Sequence, residues 1–516
     1  MYISYIMTLK FDDIAQGALD MMESTDKHIF LTGKAGTGKS TLLMHFLDIT
    51  TKNIVLLAPT GVAALNIGGA TIHSFFGFPP TVTIKKAKQE AKFQVGDEKF
   101  TELDTIVIDE ISMVRADMLD CIHEFLRIVR GSSNPFGGVQ MIMIGDLYQL
   151  PPVVTKYEKV FFQKEYLSPY FFDAKVISKK GFVMEYIELE KVYRQSDQKF
   201  IEVLNAIRTK RIQKKHLDAL NACVSDDFEI TDGVVYLAGT NAIVDTINQT
   251  YLADVDQRAI SFKATSKGEM QGRQLPADAK LVLKKGAQVM FVANDPNGRR
   301  VNGTLGKITF LKKDHVLVQI YGGDEVEVTP HTWRVSQYEY NSSKKRLDVF
   351  TVGSFTQLPL TLAWAVTIHK SQGKTFDKVI VDLSAGIFAH GQTYVALSRC
   401  RTLEGIVLTT GVDHSHIRLD YNVVRFAAQT QSTRPELLLS LDKKVELFTQ
   451  VISNKGRVSM TYLGSEDISL ARIFEPYEMG NMEYQGSGFF GVKGYCHTKG
   501  GERVFRVDRV FEIEQL

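Results

Sequence analysis

A lysine and two hydroxyls behind a glycine-rich turn are the first residues of this chain with a defined chemistry. Gly33-Lys34-Ala35-Gly36-Thr37-Gly38-Lys39-Ser40 fits G-x-x-x-x-G-K-[ST], and Thr41 follows it. In that pattern the backbone N–H groups of Gly33, Ala35, Gly36, Thr37 and Gly38 turn inward around the phosphates of a nucleoside triphosphate. Lys39 then reaches the β- and γ-phosphates, and Ser40 offers a hydroxyl to Mg²⁺. Two acids, Asp109 and Glu110, end the apolar run Thr105-Ile106-Val107-Ile108. There Asp109 suits the Mg²⁺ shell, and Glu110 suits the orientation or deprotonation of the attacking water. Gln149, within Gly145-Asp146-Leu147-Tyr148-Gln149-Leu150-Pro151-Pro152, is placed to sense the γ-phosphate, and the proline pair stiffens its connection. Gln16 has two readings: a plain surface glutamine, or a carboxamide whose donor and acceptor read the edge of an adenine.

These side chains need strands that end at one place. Ile29-Phe30-Leu31 precedes the glycine-rich turn and a helical pattern, Leu42 to Leu47, follows it, so the helix N-terminus faces the phosphates. Phe11 to Leu19 reads as a short amphipathic helix. Ile54 to Ala58 reads as a buried strand ending in Pro59-Thr60-Gly61, small residues that suit close approach by a ligand backbone. Val139 to Ile144 is a further strand. Gly69 to Gly77 holds His73, Ser74, Phe75 and Phe76, which read either as a loop with core phenylalanines or as a single-strand platform. In the second reading hydroxyls meet phosphates and aromatic rings lie under bases. The polar, lysine-containing stretch that follows reads as a small insertion at about 77–102.

A chain of 516 residues implies roughly three to five domains. Hydrophobic content of 44% and charged content of 23% describe a soluble globular protein. The four cysteines are far apart with no C-x-x-C pair, which argues against a zinc or iron–sulfur site and suits a reducing cytoplasm. The N-terminal stretch lacks the charged and apolar regions of a signal peptide, and no apolar run is long enough to span a bilayer. A net charge of +2 does not by itself announce nucleic-acid binding.

Taken together, the blocks at 33–41, 58–69 (APTGVAALNIGG), 107–113 (VIDEISM) and 145–153 (GDLYQLPPV) resemble the Pif-type DNA helicases of superfamily 1, a 5′→3′ branch related to RecD. The run Pro135-Phe136-Gly137-Gly138-Val139-Gln140 resembles that family's own signature. The resemblance implies an α/β fold with two RecA-like P-loop domains, ATP between them, and single-stranded DNA across their tops. Through it, Arg194 in Glu188 to Gln195 matches an arginine that reaches across the cleft to the γ-phosphate. Val234 to Asn241 matches the block that opens the second core sheet. Gln357 to Thr375, with His369-Lys370-Ser371-Gln372-Gly373 intact, matches the DNA-binding motif. In it Thr367, His369, Lys370, Ser371 and Gln372 face DNA, and Gly373 permits approach to the nucleotide. Arg399, in Gly391 to Arg401, matches a second arginine finger, with Arg401 a nearby decoy.

The expected domains are 1–178 for the first RecA-like domain, and 179–280 with 351–428 for the second. An SH3-like β-barrel is inserted at 281–350, a linker spans 429–443, and a β-rich module fills 444–516. Within the barrel Lys344-Lys345-Arg346 is either a solvated turn or a phosphate contact. The last module is similar to a WYL domain, an Sm/SH3-like fold, at Tyr462, Arg472, Pro476, Gly494-Tyr495-Cys496 and the run 503–509. Phe490-Gly491-Val492 replaces the triad that names that domain.

The expectation is an ATP- and Mg²⁺-dependent 5′→3′ DNA helicase of repair, recombination or replication. Its partners are single-stranded and duplex DNA, with single-stranded DNA or a regulatory ligand at the last module. It is expected to be cytoplasmic, monomeric and without a membrane partner. The alternatives are an ATP-gated nucleic-acid-binding regulator, or a translocase without efficient unwinding.

Overall fold

The computed structural model describes residues 11–516 except 180–181, 196, 269–274, 296–299, 314, 385, 387–388, 432–440, 463–471, 485–486 and 508–509. The chain divides into two units, Met1–Leu204 with Gln213–His416, and Asn205–Ile212 with Ile417–Leu516.

The first unit opens on a parallel sheet of β1 (His28–Gly33), β2 (Ile54–Ala58), β3 (Ala70–Thr71), β4 (Thr105–Ile108), β5 (Gln140–Ile144) and β6 (Met184–Leu189). Their order is β3-β2-β4-β5-β1-β6. Phe30, Val107 and Ile142 are fully buried. A sheet covered on both faces needs continuous apolar strands, which is why β2, β4 and β5 read as unbroken hydrophobic runs. One cover is made by Ala18, Leu19 and Met22 of helix Asp13–Ser24 with Leu42, Leu43 and Phe46 of helix Lys39–Ile49. Because the strands are parallel, the loops after β1, β4, β5 and β6 emerge at one edge. Residues 77–102 form helices Ile84–Phe93 and Glu98–Thr101 beside helix Ala116–Val129, with Phe100 buried.

A second parallel sheet begins with β7 (Val234–Ala238) and is then interrupted. The interruption holds β8 (Ile260–Lys263), β9 (Thr265–Gly268), β10 (Lys280–Leu283), β11 (Gln288–Phe291), β12 (Leu305–Leu311), β13 (Val316–Ile320), β14 (Glu325–Glu327), β15 (His331–Asn341), β16 (Arg346–Gln357) and β17 (Leu360–Leu362). These strands pair as β10-β8, β14-β13-β12-β11-β17 and β15-β16-β9. The parallel sheet resumes with β18 (Ala365–Thr367), β19 (Lys378–Val381) and β20 (Ile406–Leu408), in the order β18-β7-β19-β20. Antiparallel pairing therefore runs from Ile260 to Leu362, wider than the expected 281–350. The reason is that β9 pairs with β16 and β17 with β11, partners distant in sequence that periodicity does not reveal.

The β15–β16 hairpin meets the first sheet. The Tyr338 hydroxyl accepts the N–H of Leu56 at 3.3 Å, and Asn53 bonds the Lys345 carbonyl and the Leu347 N–H at 3.3 and 3.2 Å. Lys344 and Arg346 both pair with Asp348, at 3.0 and 3.2 Å. Two of the three clustered cations thus have an acidic partner.

The second unit carries helices Tyr421–Gln431 and Leu441–Ser453 and a five-stranded antiparallel sheet. Its strands are β21 (Val458–Tyr462), β22 (Arg472–Tyr484), β23 (Ser487–Cys496), β24 (Glu502–Arg506) and β25 (Val510–Gln515), ordered β24-β23-β22-β21-β25. Phe448, Val458, Phe474, Val492, Cys496 and Phe505 form its core. Phe490, at the first triad position, is 39% exposed. Residues 432–440 of the expected linker, and Asp508 and Arg509 of the run 503–509, lie outside the described residues. Among the described residues no helix is long and apolar enough to cross a membrane.

Candidate nucleotide and nucleic-acid site

The loop after β1 is held in shape before any ligand is considered. Gly36 and Gly38 take φ of 80° and 85°, the left-handed region where only glycine is unstrained. A side chain on Gly36 would also collide with the Cβ of Arg194, so packing requires glycine at this position, which the pattern itself leaves open. The Lys39 ammonium donates to the carbonyls of Gly33 and Lys34 at 2.7 and 3.1 Å. Thr37 Oγ1 donates to the Lys34 carbonyl at 2.9 Å. Ser40 and Thr41 are exposed at the start of helix Lys39–Ile49. Gln16 is exposed and donates to Asp20 at 2.9 Å, one turn further along its own helix.

Asp109 and Glu110 leave β4 toward this loop. Glu110 has a φ of 52° and donates its N–H to Asp109 Oδ1 at 2.9 Å. Burial raises the pKa of Asp109, opposed by the Glu110 N–H and by Lys39. Burial, then the charge of Asp109, raises that of Glu110, opposed by Lys39 and Arg399. Ser40 and Asp109 are hard oxygen donors of the kind Mg²⁺ takes, and one carboxylate beside substrate phosphates is its usual protein share. The fit to Mg²⁺ is therefore good.

The loop after β6 and the turns of the second parallel sheet bring the other wall. Arg194 Nη2 donates to the Gly373 carbonyl at 3.2 Å. Arg399 is 1% exposed, and its guanidinium donates to the carbonyls of Val395, Lys374 and Ser371 at 2.8, 3.3 and 3.5 Å and to Ser398 Oγ at 2.8 Å. Burial and the neighbouring Arg194 lower its pKa to about 9, so it remains charged at neutral pH. Both arginines thus grip one turn, Ser371 to Lys374. Gly373 is exposed with φ of 80°, and a Cβ there would meet nothing within 4 Å. Arg401 instead pairs with Asp377 at 3.3 Å on the surface.

Three further residues of the cleft carry no role in the sequence reading. Tyr394 accepts the Ala35 N–H on its hydroxyl at 2.9 Å. Buried Gln195 donates to the carbonyls of Ser398 and Cys400 at 3.2 and 3.3 Å, tying the Arg194 loop to the Arg399 loop. Buried Asp146 accepts from Gln149 Nε2 at 3.3 Å. Their one signal was adjacency: Gln195 follows Arg194, Tyr394 is five residues before Arg399, and Asp146 ends β5 as Asp109 ends β4.

The expected DNA-facing residues divide. His369 and Lys370 are exposed, and Thr60, Gly61, His73 and Ser74 are partly so. Phe75 and Phe76 are 3% and 0% exposed, and their rings pack with Phe78, Phe100, Phe125 and Tyr338. The platform reading is corrected for this pair, because the inserted helix around Phe100 closes an aromatic core over them. Ser371 is fully buried with its hydroxyl on the Ile368 carbonyl at 2.7 Å. Thr367 is 4% exposed and accepts the Lys370 N–H at 3.1 Å. Both hydroxyls make hydrogen bonds within their own turn. Gln372 faces the acids: its Nε2 donates to Glu110 Oε2 and to Gln149 Oε1, each at 3.0 Å.

A family model described as PIF1-like helicase matches residues 11–218. The ATP-dependent DNA helicase Pif1 of Bdellovibrio bacteriovorus is 33% identical over 424 residues, which cover 80% of this chain and 90% of that protein. The crystal structure of Bacteroides sp Pif1 in complex with ADP-AlF4 is 37% identical with a TM-score of 0.75, covering 82% of this chain and 98% of that one. Bacteroides Pif1 bound to ssDNA is matched at 37% identity and a TM-score of 0.58, over the same shares of the two chains. Identity over nine-tenths of such a relative, on a cleft assembled from both parallel sheets, means that this chain belongs to the PIF1-like helicase family.

Proposed function

We propose that this chain hydrolyses ATP to move 5′→3′ along single-stranded DNA and unwinds duplex or structured DNA ahead of it. The observation that carries the reading is the split site: Lys39, Asp109 and Glu110 follow strands of one parallel sheet, while Arg194 and Arg399 both grip the Ser371 to Lys374 turn of the other. Lys39 binds the β- and γ-phosphates, Glu110 orients the water, and Gln149 senses the γ-phosphate. Arg194 and Arg399 stabilise charge on the transferring group. Ser40 and Asp109 would hold Mg²⁺, which would neutralise phosphate charge when bound. On closure the two sheets approach, and on opening they part, which moves Thr60, Gly61, His73 and Ser74 relative to His369 and Lys370 along the strand.

The finer readings rest on the strand patterns. The antiparallel sheets inserted between β7 and β18 support an SH3-like module beside the DNA path. The antiparallel sheet of 444–516 with its own apolar core supports a WYL-like accessory module that binds single-stranded DNA or a regulatory ligand. Deleting 436–516 is expected to weaken DNA affinity or the nucleotide response, and unchanged values of both reject that role.

The test is strand displacement on duplexes with a 5′ or a 3′ single-stranded tail, with Lys39→Ala as control. The 5′-tailed duplex is expected to open with ATP, and Lys39→Ala to leave both closed. Opening of the 3′-tailed duplex alone rejects the polarity. ATP hydrolysis stimulated by DNA with neither duplex opened rejects unwinding.

A further inference from the structure

Gln372 joins the two sides of the cleft through a single nitrogen. Its two N–H groups go one each to Glu110 Oε2 and Gln149 Oε1, both at 3.0 Å. A carboxamide nitrogen has two donors and no more, so its donor capacity is used entirely on these residues. The acceptors follow β4 and β5 of the first sheet, whereas Gln372 lies in the turn after β18 of the second. In this arrangement a carboxylate oxygen of the water-orienting acid and the amide oxygen of the γ-phosphate sensor are both occupied by protein.

The chain on the other side of Gln372 is the exposed pair His369 and Lys370. Between them the turn is stiff. Gln372 N–H bonds the His369 carbonyl at 3.2 Å, Ser371 N–H bonds the Thr367 carbonyl at 2.9 Å, and Lys374 N–H bonds the Ser371 carbonyl at 3.0 Å. Ser371 is fully buried, and the arginines hold the carbonyls on either side of Gln372. A pull on His369 and Lys370 therefore moves Gln372 as part of one rigid piece.

We propose that Gln372 is a positioning residue that keeps Glu110 and Gln149 in a resting arrangement, and that engagement of His369 and Lys370 by single-stranded DNA withdraws it, so that hydrolysis follows DNA binding. The proposal rests on the reading of the chain as a DNA-dependent ATPase. It replaces the expectation that Gln372 contacts DNA, since the carboxamide faces the nucleotide side.

The experiment compares the full chain with Gln372→Met, which keeps length and volume without a donor, and with Gln372→Ala. Steady-state ATP hydrolysis is measured with and without saturating oligothymidylate, together with KM for ATP and oligothymidylate affinity by fluorescence anisotropy. Losing the two hydrogen bonds is expected to raise the DNA-free kcat by at least about fivefold, the worth of one net hydrogen bond of ordinary strength. The DNA-saturated kcat, KM and oligothymidylate affinity are expected to stay within about twofold, so the stimulation ratio falls. An unchanged or lower DNA-free kcat in both variants overturns the proposal. So does a tenfold loss of oligothymidylate affinity with the DNA-free rate unchanged, which would return Gln372 to the DNA path. Lys39→Ala is assayed in parallel. If it hydrolyses ATP at the unsubstituted rate, the nucleotide-site reading fails and the proposal with it, whereas an inactive Lys39→Ala beside unaltered Gln372 variants overturns the proposal alone.

Discussion

The hydroxyl of Tyr394 accepts the main-chain N–H of Ala35 at 2.9 Å across 359 positions of sequence. One of the inward N–H groups of the phosphate cradle is therefore satisfied by a side chain from the opposite sheet. Tyr394→Phe removes that acceptor and leaves a buried donor unpaired, a loss of about 1–3 kcal/mol in the nucleotide-free state. Thermal denaturation without nucleotide is expected to shift down. Nucleotide, which supplies a new acceptor, is expected to bind several-fold more tightly. Isothermal titration with ADP checks the second point, and weaker binding would contradict it.

Arg399 and Arg401 are two residues apart with opposite surroundings. Arg399 is buried on four acceptors, and Arg401 pairs with Asp377 at the surface. Arg399→Ala is expected to lower kcat for ATP by about 10³ or more, the usual worth of an arginine finger. Arg399→Lys keeps the charge but not the fork of donors, and is expected to recover little of the rate. Arg401→Ala is expected to stay within about twofold, as exposed pairs contribute under about 1 kcal/mol. Equal loss in both alanine variants, read by steady-state hydrolysis, would remove the distinction.

Gly391 precedes helix Gln392–Leu397 with φ of 72°, and a Cβ there would strike the Tyr148 carbonyl and stand 2.6 Å from that of Gln149. Gly391→Ala is expected to push the Gln149 loop away from helix Gln392–Leu397, adding about 1–2 kcal/mol of left-handed strain. DNA-stimulated hydrolysis should drop at least tenfold while the P-loop itself is untouched. Retention of nucleotide affinity in a fluorescent-ADP assay separates that outcome from general unfolding.

Two histidines in the first unit, buried His123 and half-buried His28, flank Phe136. Phe136 donates its N–H to His123 Nδ1 at 3.0 Å, and the His28 and His123 rings lie 5.5 and 5.6 Å from the Phe136 ring. Burial lowers the pKa of His28 to about 4, and burial with the Lys179 charge lowers that of His123 to about 4. Unfolded histidine titrates near 6.5, so between about 6.5 and 4 the unfolded chain binds more protons than the folded one. The stability contribution is complete above about 6.5 and is lost as pH falls toward 4. The melting temperature is expected to fall across that window. His28→Phe, which cannot titrate, should flatten the fall, and an unchanged slope would count against this cause.

Much of the nucleotide site was legible in the sequence because its parts are local. A glycine-rich turn needs positive φ within a few residues, and a strand buried on both faces must be apolar throughout. An acid pair at the end of such a strand has one place to emerge. Gly33 to Ser40 and Asp109-Glu110 could therefore be read in order along the chain. The Phe75-Phe76 pair was legible only as a choice between core and platform. The choice fell to core because Phe100 and Phe125 come from other helices, and local periodicity does not report them.

By itself, then, the sequence determined that a glycine-rich strand-to-helix turn and a pair of acids lie at the ends of buried strands. Short-range backbone geometry and burial suffice for that. Tertiary structure alone decided that Gln372 turns toward Glu110 and Gln149, that Ser371 and Thr367 use their hydroxyls within their own turn, and that Tyr394 occupies the Ala35 N–H. It likewise decided that β9 joins β16. The Gln372 and Tyr394 contacts depend on how two separately formed sheets pack, and a side chain's direction at that seam is set by partners hundreds of residues away.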